Sequence, residues 1–457
     1  MAAAASDAEH QAEADVVYAD LLARIGEVAP RPRLEPTRRL TELLGDPQHA
    51  APVVHITGTN GKTSTSRMIE SMLRASGLTT GLLTSPHLVR LNERILINGR
   101  PISNEALARN WADILPYVLM VDAELTDAGD EELTFFEALT ALAFACFADA
   151  PVDVMVLEVG MGGEWDSTNV ADGQVAVFTP IALDHMGRLG STITEIARTK
   201  AGIIKPAASV VTAMQEVDAM DQLREAATHF EASMTIELVD FAVEATTVAV
   251  GGQLISVRGR AGEYRDIYLP LYGDHQAQNA AVAIAAVESF LGDGSRPLGA
   301  DVVAQGLGAV TSPGRLQLIG IEPTVLVDAA HNPHGAAALA SAVQEYFDFD
   351  QWVVVLSILG DKDADGIARE LAPLATRFHV TASTSDRATP IDELVDTVAR
   401  HAVPGTVVRY DSPEQALADA REWAREAGVD EKRGVLVAGS ITLVGDAIRI
   451  AESEGWK

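Results

Sequence analysis

The 457-residue sequence has one cysteine, Cys146, so no internal disulfide can form and a reducing cytoplasm suits the chain. Cys146 lies in the apolar run LTALAFACFA, where it reads as a small core residue. Long apolar runs are missing too. The most apolar segment, residues 135–147, is much shorter than the roughly 20 residues that cross a bilayer, so it reads as a buried core helix. The N-terminus MAAAASDAEHQAEAD lacks the basic and apolar regions of a secretory signal and reads as a frayed acidic tail. Basic residues are scarce, 34 against 65 acidic ones, for a net charge of −31. Such a surface repels nucleic acid and anionic membranes, so any polyanionic ligand must be held locally. Beyond the alanine-rich start there is no internal repeat or low-complexity tract.

What remains is a profile with 47% hydrophobic and 22% charged residues, that of a soluble globular protein. Its length implies two domains. From Val53 onward the short runs VVHIT, TTGLLTS, VDVMVLEV and VAVFTPIAL alternate with segments of helical period, which predicts a parallel α/β sheet. The pair TVAV and LISV, joined by Gly251 and Gly252, predicts a small antiparallel hairpin. A second α/β series follows TSPGR, with TVLVDAAHNP, WVVVLSILGDKD, RFHVTAS, TVVRYD and GVLVAGS. The boundary is placed near residues 312–322, giving domains 1–311 and 312–457.

The stretch GTNGKTS, residues 58–64, resembles a phosphate-binding loop whose first glycine is out of place. In G-x-x-x-x-G-K-[ST], backbone amides and the following helix N-terminus cradle phosphates while the lysine neutralises them. Here the glycines are Gly58 and Gly61, so the loop is two residues shorter, yet Lys62 and the hydroxyls of Thr63 and Ser64 are kept. Met68, Ile69, Met72 and Leu73 then pair at helical spacing, so the order is strand, loop, helix. That context favours nucleotide binding over a bland turn.

Other polar residues end neighbouring predicted strands, where open α/β sheets gather ligands. Ser85, Glu158, Asp184 and His185 are such residues, and a hydroxyl, a carboxylate and an imidazole there could share Mg²⁺ with a triphosphate. Each also has an ordinary reading, as a turn, a solvated strand end or a cap. Lys200, in TKAGIIKP, reads from composition as a surface lysine on a helix.

The ordered series ITGTNGKTS, TSPHL, LTFFE, EVGMGGEWDSTN, LDH, KAGIIK, GDHQAQNA, SPGRLQ, DAAHNP, GDKD and AGS resembles the ATP-dependent Mur-type ligases. Within them it is most similar to folylpolyglutamate synthase/dihydrofolate synthase. The resemblance implies a P-loop ATPase domain with a small antiparallel addition, followed by a Rossmann-like domain for glutamate ligation. Asn60, Gly61, Lys62, Thr63 and Ser64 would hold the ATP phosphates, with Asn279, Arg315 and Asp328 completing the nucleotide site. Ser85, Glu158 and His185, with Thr63 or Ser64, would bind Mg²⁺, two ions in all. Lys200 matches a lysine that carries a carbamate, so Lys62, Lys200 and His185 form the implied catalytic group. Arg33, Leu34, Glu35, Pro36, Thr134, Phe135, Phe136, Glu137, Trp165, Asp166 and Ser167 would face the pterin. His331, Asp361, Lys362 and Ser440 would face glutamate. Two positions depart from the pattern: Glu164 stands where the family usually has arginine, and Gly187 where it often has an acidic residue.

The implied reaction is ligation of L-glutamate to a folate or to dihydropteroate through an acyl phosphate, by a cytoplasmic monomer with neither nucleic acid nor membrane as partner. A cell-wall Mur ligase would carry a separate N-terminal domain, and only 57 residues precede Gly58. A non-catalytic nucleotide switch would leave DAAHNP and GDKD without a task.

Overall fold

The computed structural model describes residues 2–26, 32–184, 186–429 and 431–456. The chain divides into two compact units, one of Met1–Thr246, Ile255–Tyr268 and Ala277–Val310, the other of Thr247–Leu254, Leu269–Gln276 and Thr311–Lys457.

The first unit is built on eight strands: β1 (Val53–Thr57), β2 (Thr80–Leu83), β3 (Ile95–Ile97), β4 (Arg100–Pro101), β5 (Val154–Glu158), β6 (Gly173–Phe178), β7 (Ser209–Thr212) and β8 (Ser233–Ile236). Their order is β4-β3-β2-β5-β1-β6-β7-β8. β3 and β4 pair antiparallel at one edge, and the others run parallel. The predicted strands β1, β2 and β5 are buried at every position, as a sheet covered on both faces requires. The helix Lys62–Ala75 buries the predicted face of Met68, Ile69, Met72 and Leu73. The apolar helix Phe135–Asp149 lies in the core and contains the buried Cys146.

Two expectations fail here. The N-terminal stretch expected to fray is the helix Ala2–Leu22. Alanine is the best helix former, and Ala14, Val17 and Leu21, spaced by three and four, bury one stripe in the core. The hairpin turn sits one residue earlier than predicted. β9 (Ala242–Ala249) and β10 (Gly252–Arg258) are joined by Val250 and Gly251, and Gly251 takes a φ of 77°. Gly252 is glycine for another reason, since a Cβ there would come within 2.2 Å of Leu269 O. With β11 (Glu263–Leu269) these strands form a sheet of order β11-β10-β9.

The second unit holds β12 (Gln317–Gly320), β13 (Val325–Val327), β14 (Gln351–Leu356), β15 (Arg377–Val380), β16 (Val407–Arg409) and β17 (Arg433–Ala438), in the order β12-β13-β17-β14-β15-β16. Only β12 is antiparallel to its neighbour. Its core gathers Leu326, Val354, Leu356, Phe378 and Leu436 under helices that include Pro333–Tyr346 and Ala364–Leu371. No helix among the described residues is long and apolar enough to cross a membrane.

Candidate active site

β1 runs straight into the glycine loop. Gly58 has a φ of 152°, and a Cβ there would lie 1.9 Å from Thr179 Oγ1, so only glycine lets the loop pass β6. Thr59 fixes the next step by donating its amide to Pro180 O and its hydroxyl to Ala182 O. Gly61 precedes the helix with a φ of 88°, and a Cβ on it would meet Asn279 Oδ1 at 2.5 Å. Asn279 therefore lies against the loop. The amides of this helix N-terminus, with the positive end of its dipole, suit a phosphate group.

Three predicted residues meet at the carboxyl ends of adjacent strands. The Thr63 hydroxyl donates to Glu158 Oε1 at 2.8 Å, and the Ser85 amide donates to Oε2 at 3.4 Å. Glu158 is 1% exposed. Ser64 is also buried, and the hydrogen bond to Glu158 is made by Thr63. A carboxylate with the Thr63 hydroxyl beside it offers oxygen donors, which fit a hard cation such as Mg²⁺ and not a soft one. Among the described residues no three His, Cys, Asp or Glu side chains form such a cluster. His185 lies outside the described residues.

Lys200 is not the surface residue that composition suggested. It closes the helix Ile193–Ala201 at 4% exposure and donates from Nζ to Gly58 O at 2.7 Å. Lys62 Nζ reaches the same carbonyl and that of Thr59, each at 3.1 Å. Burial, and then the Lys62 charge, pull the Lys200 amine down to about 7, against opposing pulls from Asp184 and Asp166. Much of it is thus an uncharged amine near neutral pH, the form that reacts with carbon dioxide.

Behind Glu158 the chain turns through residues 159–167. Phe136 packs on this turn, since a Cβ on Gly160 would lie 2.7 Å from its ring, and Trp165 lies beside Gly162. Asp166 is spent inward: it accepts from the Met161 amide at 2.9 Å, the Thr168 amide at 3.0 Å and the Gly160 amide. Burial raises its carboxyl above the usual range while those donors oppose the rise. Ser167 is buried, whereas Glu164 is exposed. Arg33 forms a two-point pair with Glu137, at 2.9 and 3.0 Å, and donates to the carbonyls of Glu131 and Glu132. Glu137 also completes a capping box with Thr134 at the start of the helix that begins at Phe135. Leu34 precedes the helix Glu35–Leu43, where Pro36 is buried and Glu35 pairs with Arg38 on the surface.

In the second unit, Asp328 follows β13 and accepts from the amides of Leu316 at 2.7 Å and Ala330 at 2.8 Å. Its carboxylate thus ties down the turn that carries Arg315. His331 Nδ1 donates to Ala329 O at 2.9 Å, and Ala330 O accepts from the Gly439 amide. Ser440, fully buried, caps the helix Ile441–Glu454 by accepting from Leu443 N. Asp361 pairs with Arg387 at 2.6 Å, and the Lys362 amide donates to Leu359 O. Asp328, His331, Asp361, Lys362 and Ser440 therefore all follow the carboxyl ends of parallel strands.

Two polar side chains in this region went unremarked in the sequence, His55 within β1 and Thr168 after the turn, both fully buried. The available signal was a histidine inside an otherwise apolar strand start, VVHI.

Residues 56–287 match the Mur ligase middle domain, and residues 314–441 match the Mur ligase glutamate ligase domain. A dihydrofolate synthase/folylpolyglutamate synthase of Mycobacterium tuberculosis is 42% identical over 440 residues, covering 92% of this chain and 90% of that protein. The crystal structure of M. tuberculosis folylpolyglutamate synthase complexed with ADP and AMPPCP superposes with a TM-score of 0.92 at 42% identity, over 97% of this chain and 99% of that one. Escherichia coli FolC in complex with DHPP and ADP matches with a TM-score of 0.80 at 29% identity, over 93% and 94% of the two chains. Both ligase domains match in order and the similarity to these proteins runs over nearly the whole length, so this chain belongs to the folylpolyglutamate synthase/dihydrofolate synthase family of Mur ligases.

Proposed function

We propose that this chain uses ATP to join L-glutamate to a folate, and also to dihydropteroate, as a cytoplasmic monomer. The observation that carries this reading is the convergence of Lys62, Thr63, Glu158 and Lys200 on one glycine loop. Residues 1–311 bind the ATP phosphates and the pterin, and residues 312–457 bind glutamate and carry Arg315 and Asp328 for the nucleotide. A carboxylate is a poor acyl donor. Its oxygen attacks the γ-phosphorus, ADP leaves, and the product is an acyl phosphate. The amine of glutamate, once deprotonated, adds to the acyl carbon, phosphate departs with the remaining proton, and an amide is left.

Lys62 and the loop amides, with Asn60, Gly61 and Ser64, hold the phosphates and spread the charge that builds on them. Asn279, Arg315 and Asp328 bind the rest of the nucleotide. Thr63, Glu158, Ser85 and His185 would hold Mg²⁺, and the bond from Thr63 to Glu158 favours Thr63 over Ser64 as the hydroxyl ligand. Two ions, when bound, neutralise the triphosphate. Lys200 carries a carbamate, made when its uncharged amine adds to carbon dioxide and releases a proton. The helix start at Thr134, Phe135, Phe136 and Glu137, with Arg33 and Trp165 to Ser167, shapes the pterin side. His331, Asp361, Lys362 and Ser440 receive glutamate.

The test is product analysis by mass spectrometry with ATP, glutamate and each pterin in turn. A gain of one glutamyl residue with matching ADP release is expected. ADP release that ignores glutamate would replace the ligase with a nucleotide switch.

A further inference from the structure

β1 places His55 between Val54 and Ile56 with none of its surface exposed. Its Nε2 lies 2.8 Å from Thr168 Oγ1, and that oxygen lies 2.5 Å from Asp166 Oδ1. With Asp166 ionised, as its three backbone donors favour, the two contacts place the protons. Thr168 gives its single hydroxyl hydrogen to the Asp166 carboxylate, so toward His55 it can only accept, and the hydrogen between them sits on Nε2. Nδ1 agrees. It has no hydrogen-bond partner among the described residues, which a bare lone pair tolerates far better than an N–H would. Burial, with Lys205 nearby, pushes the ring down to about 3, so it stays neutral.

The chain of donors does not end at Asp166. That carboxylate takes the amides of Gly160 and Met161, in the turn leaving β5 after Glu158. Two residues on, the turn rests on the backbone that carries Lys200: a Cβ on Gly163 would lie 2.7 Å from Lys200 O, and the Glu164 amide donates to Thr199 O at 2.8 Å. From the other side, the Thr57 hydroxyl donates to Gly162 O at 2.8 Å. The turn between Glu158 and Lys200 is thus held from beneath by side chains that never reach the surface.

We propose that His55 is a positioning residue of the ligase site: through Thr168 and Asp166 it fixes the turn at residues 160–164 and so sets the spacing of Glu158 and Lys200. The proposal rests on the ligase reading above. His55 and Thr168 then act as one unit, and their effect falls on turnover more than on nucleotide binding, because the loop at residues 58–61 has its own supports in Thr179, Pro180 and Ala182.

The experiment compares His55→Leu and Thr168→Val, which remove the bonds at similar volume, with His55→Gln and Thr168→Ser, which keep a donor and a hydroxyl. Each apolar variant is expected to lower kcat about tenfold or more, with KM for ATP within about twofold of the parent. The double variant should be no worse than the poorer single one, and the conservative variants should recover most of the loss. Additive losses, equal losses in the conservative variants, or a KM for ATP that rises with the loss would overturn the proposal. Hydrogen exchange gives a readout independent of turnover: the amides of Gly160 and Met161 should exchange faster in Thr168→Val while β1 stays protected. Unchanged exchange there sinks the positioning role. Parent protein that releases no ADP with any pterin and glutamate sinks the ligase reading instead, and leaves the exchange experiment to judge His55.

Discussion

Lys62 and Lys200 share one acceptor, the carbonyl oxygen of Gly58, and their difference lies in burial. Lys62 keeps contact with solvent and with the mouth of the loop. Its removal takes away a charge that holds the phosphates and stabilises γ-phosphate transfer, so Lys62→Ala should cost at least about 10²-fold in kcat, read as glutamate-dependent ADP release. Near-normal ligation by that variant would refute the phosphate-loop assignment. For Lys200 the sign runs with pH. Its amine titrates at about 7 instead of 10.5, so the uncharged form grows as pH rises through neutrality. Labelled carbon dioxide, held at fixed dissolved concentration, should give a carbamate carbon signal that strengthens from pH 6 to 8 and is absent in Lys200→Ala. That variant should lose activity and regain part of it with small carboxylic acids; fully active enzyme with a bare Lys200 would end the idea. The low proton affinity also affects stability. Between about pH 7 and 10.5 the unfolded chain binds the extra proton, so this residue's contribution favours folding more as pH climbs through that window.

At the scale of elements, the glycine loop shows why one position tolerates nothing else. Gly58→Ala must move Thr179 or the strand end, so loss of ADP binding by calorimetry is expected together with a drop of several degrees in Tm. Gly77, also left-handed at a φ of 90° but with open space around it, is the control. Gly77→Ala should cost roughly 1–2 kcal/mol and leave ADP binding intact. The same contrast explains what could be read in the sequence. The central strands β1, β2, β5 and β6 were legible because parallel strands covered on both faces are written as apolar runs, and Glu158 and Ser85 stood out by ending them. The three-residue β3 and two-residue β4 are too short to show a period, and β12 alternates too weakly. The helix Ala2–Leu22 was hidden because alanine is its commonest residue, and alanine scarcely raises apolar contrast. Burial in three dimensions was the missing quantity for Lys200 and Asp166, whose types suggest the surface.

For the whole molecule the decisive quantity is its charge of −31. ATP and folates are anions, so their encounter with this surface is slowed by repulsion that salt screens. kcat/KM for ATP should therefore rise between about 10 and 150 mM salt at fixed Mg²⁺; a steady fall would mean that the local field of Lys62 governs capture. The product feels the same field more strongly at every turn of the reaction. Each added glutamate brings one more carboxylate to a tail that must stay close to an acidic body while its end re-enters the site. Repulsion grows with every residue, so longer tails should accumulate as ionic strength rises.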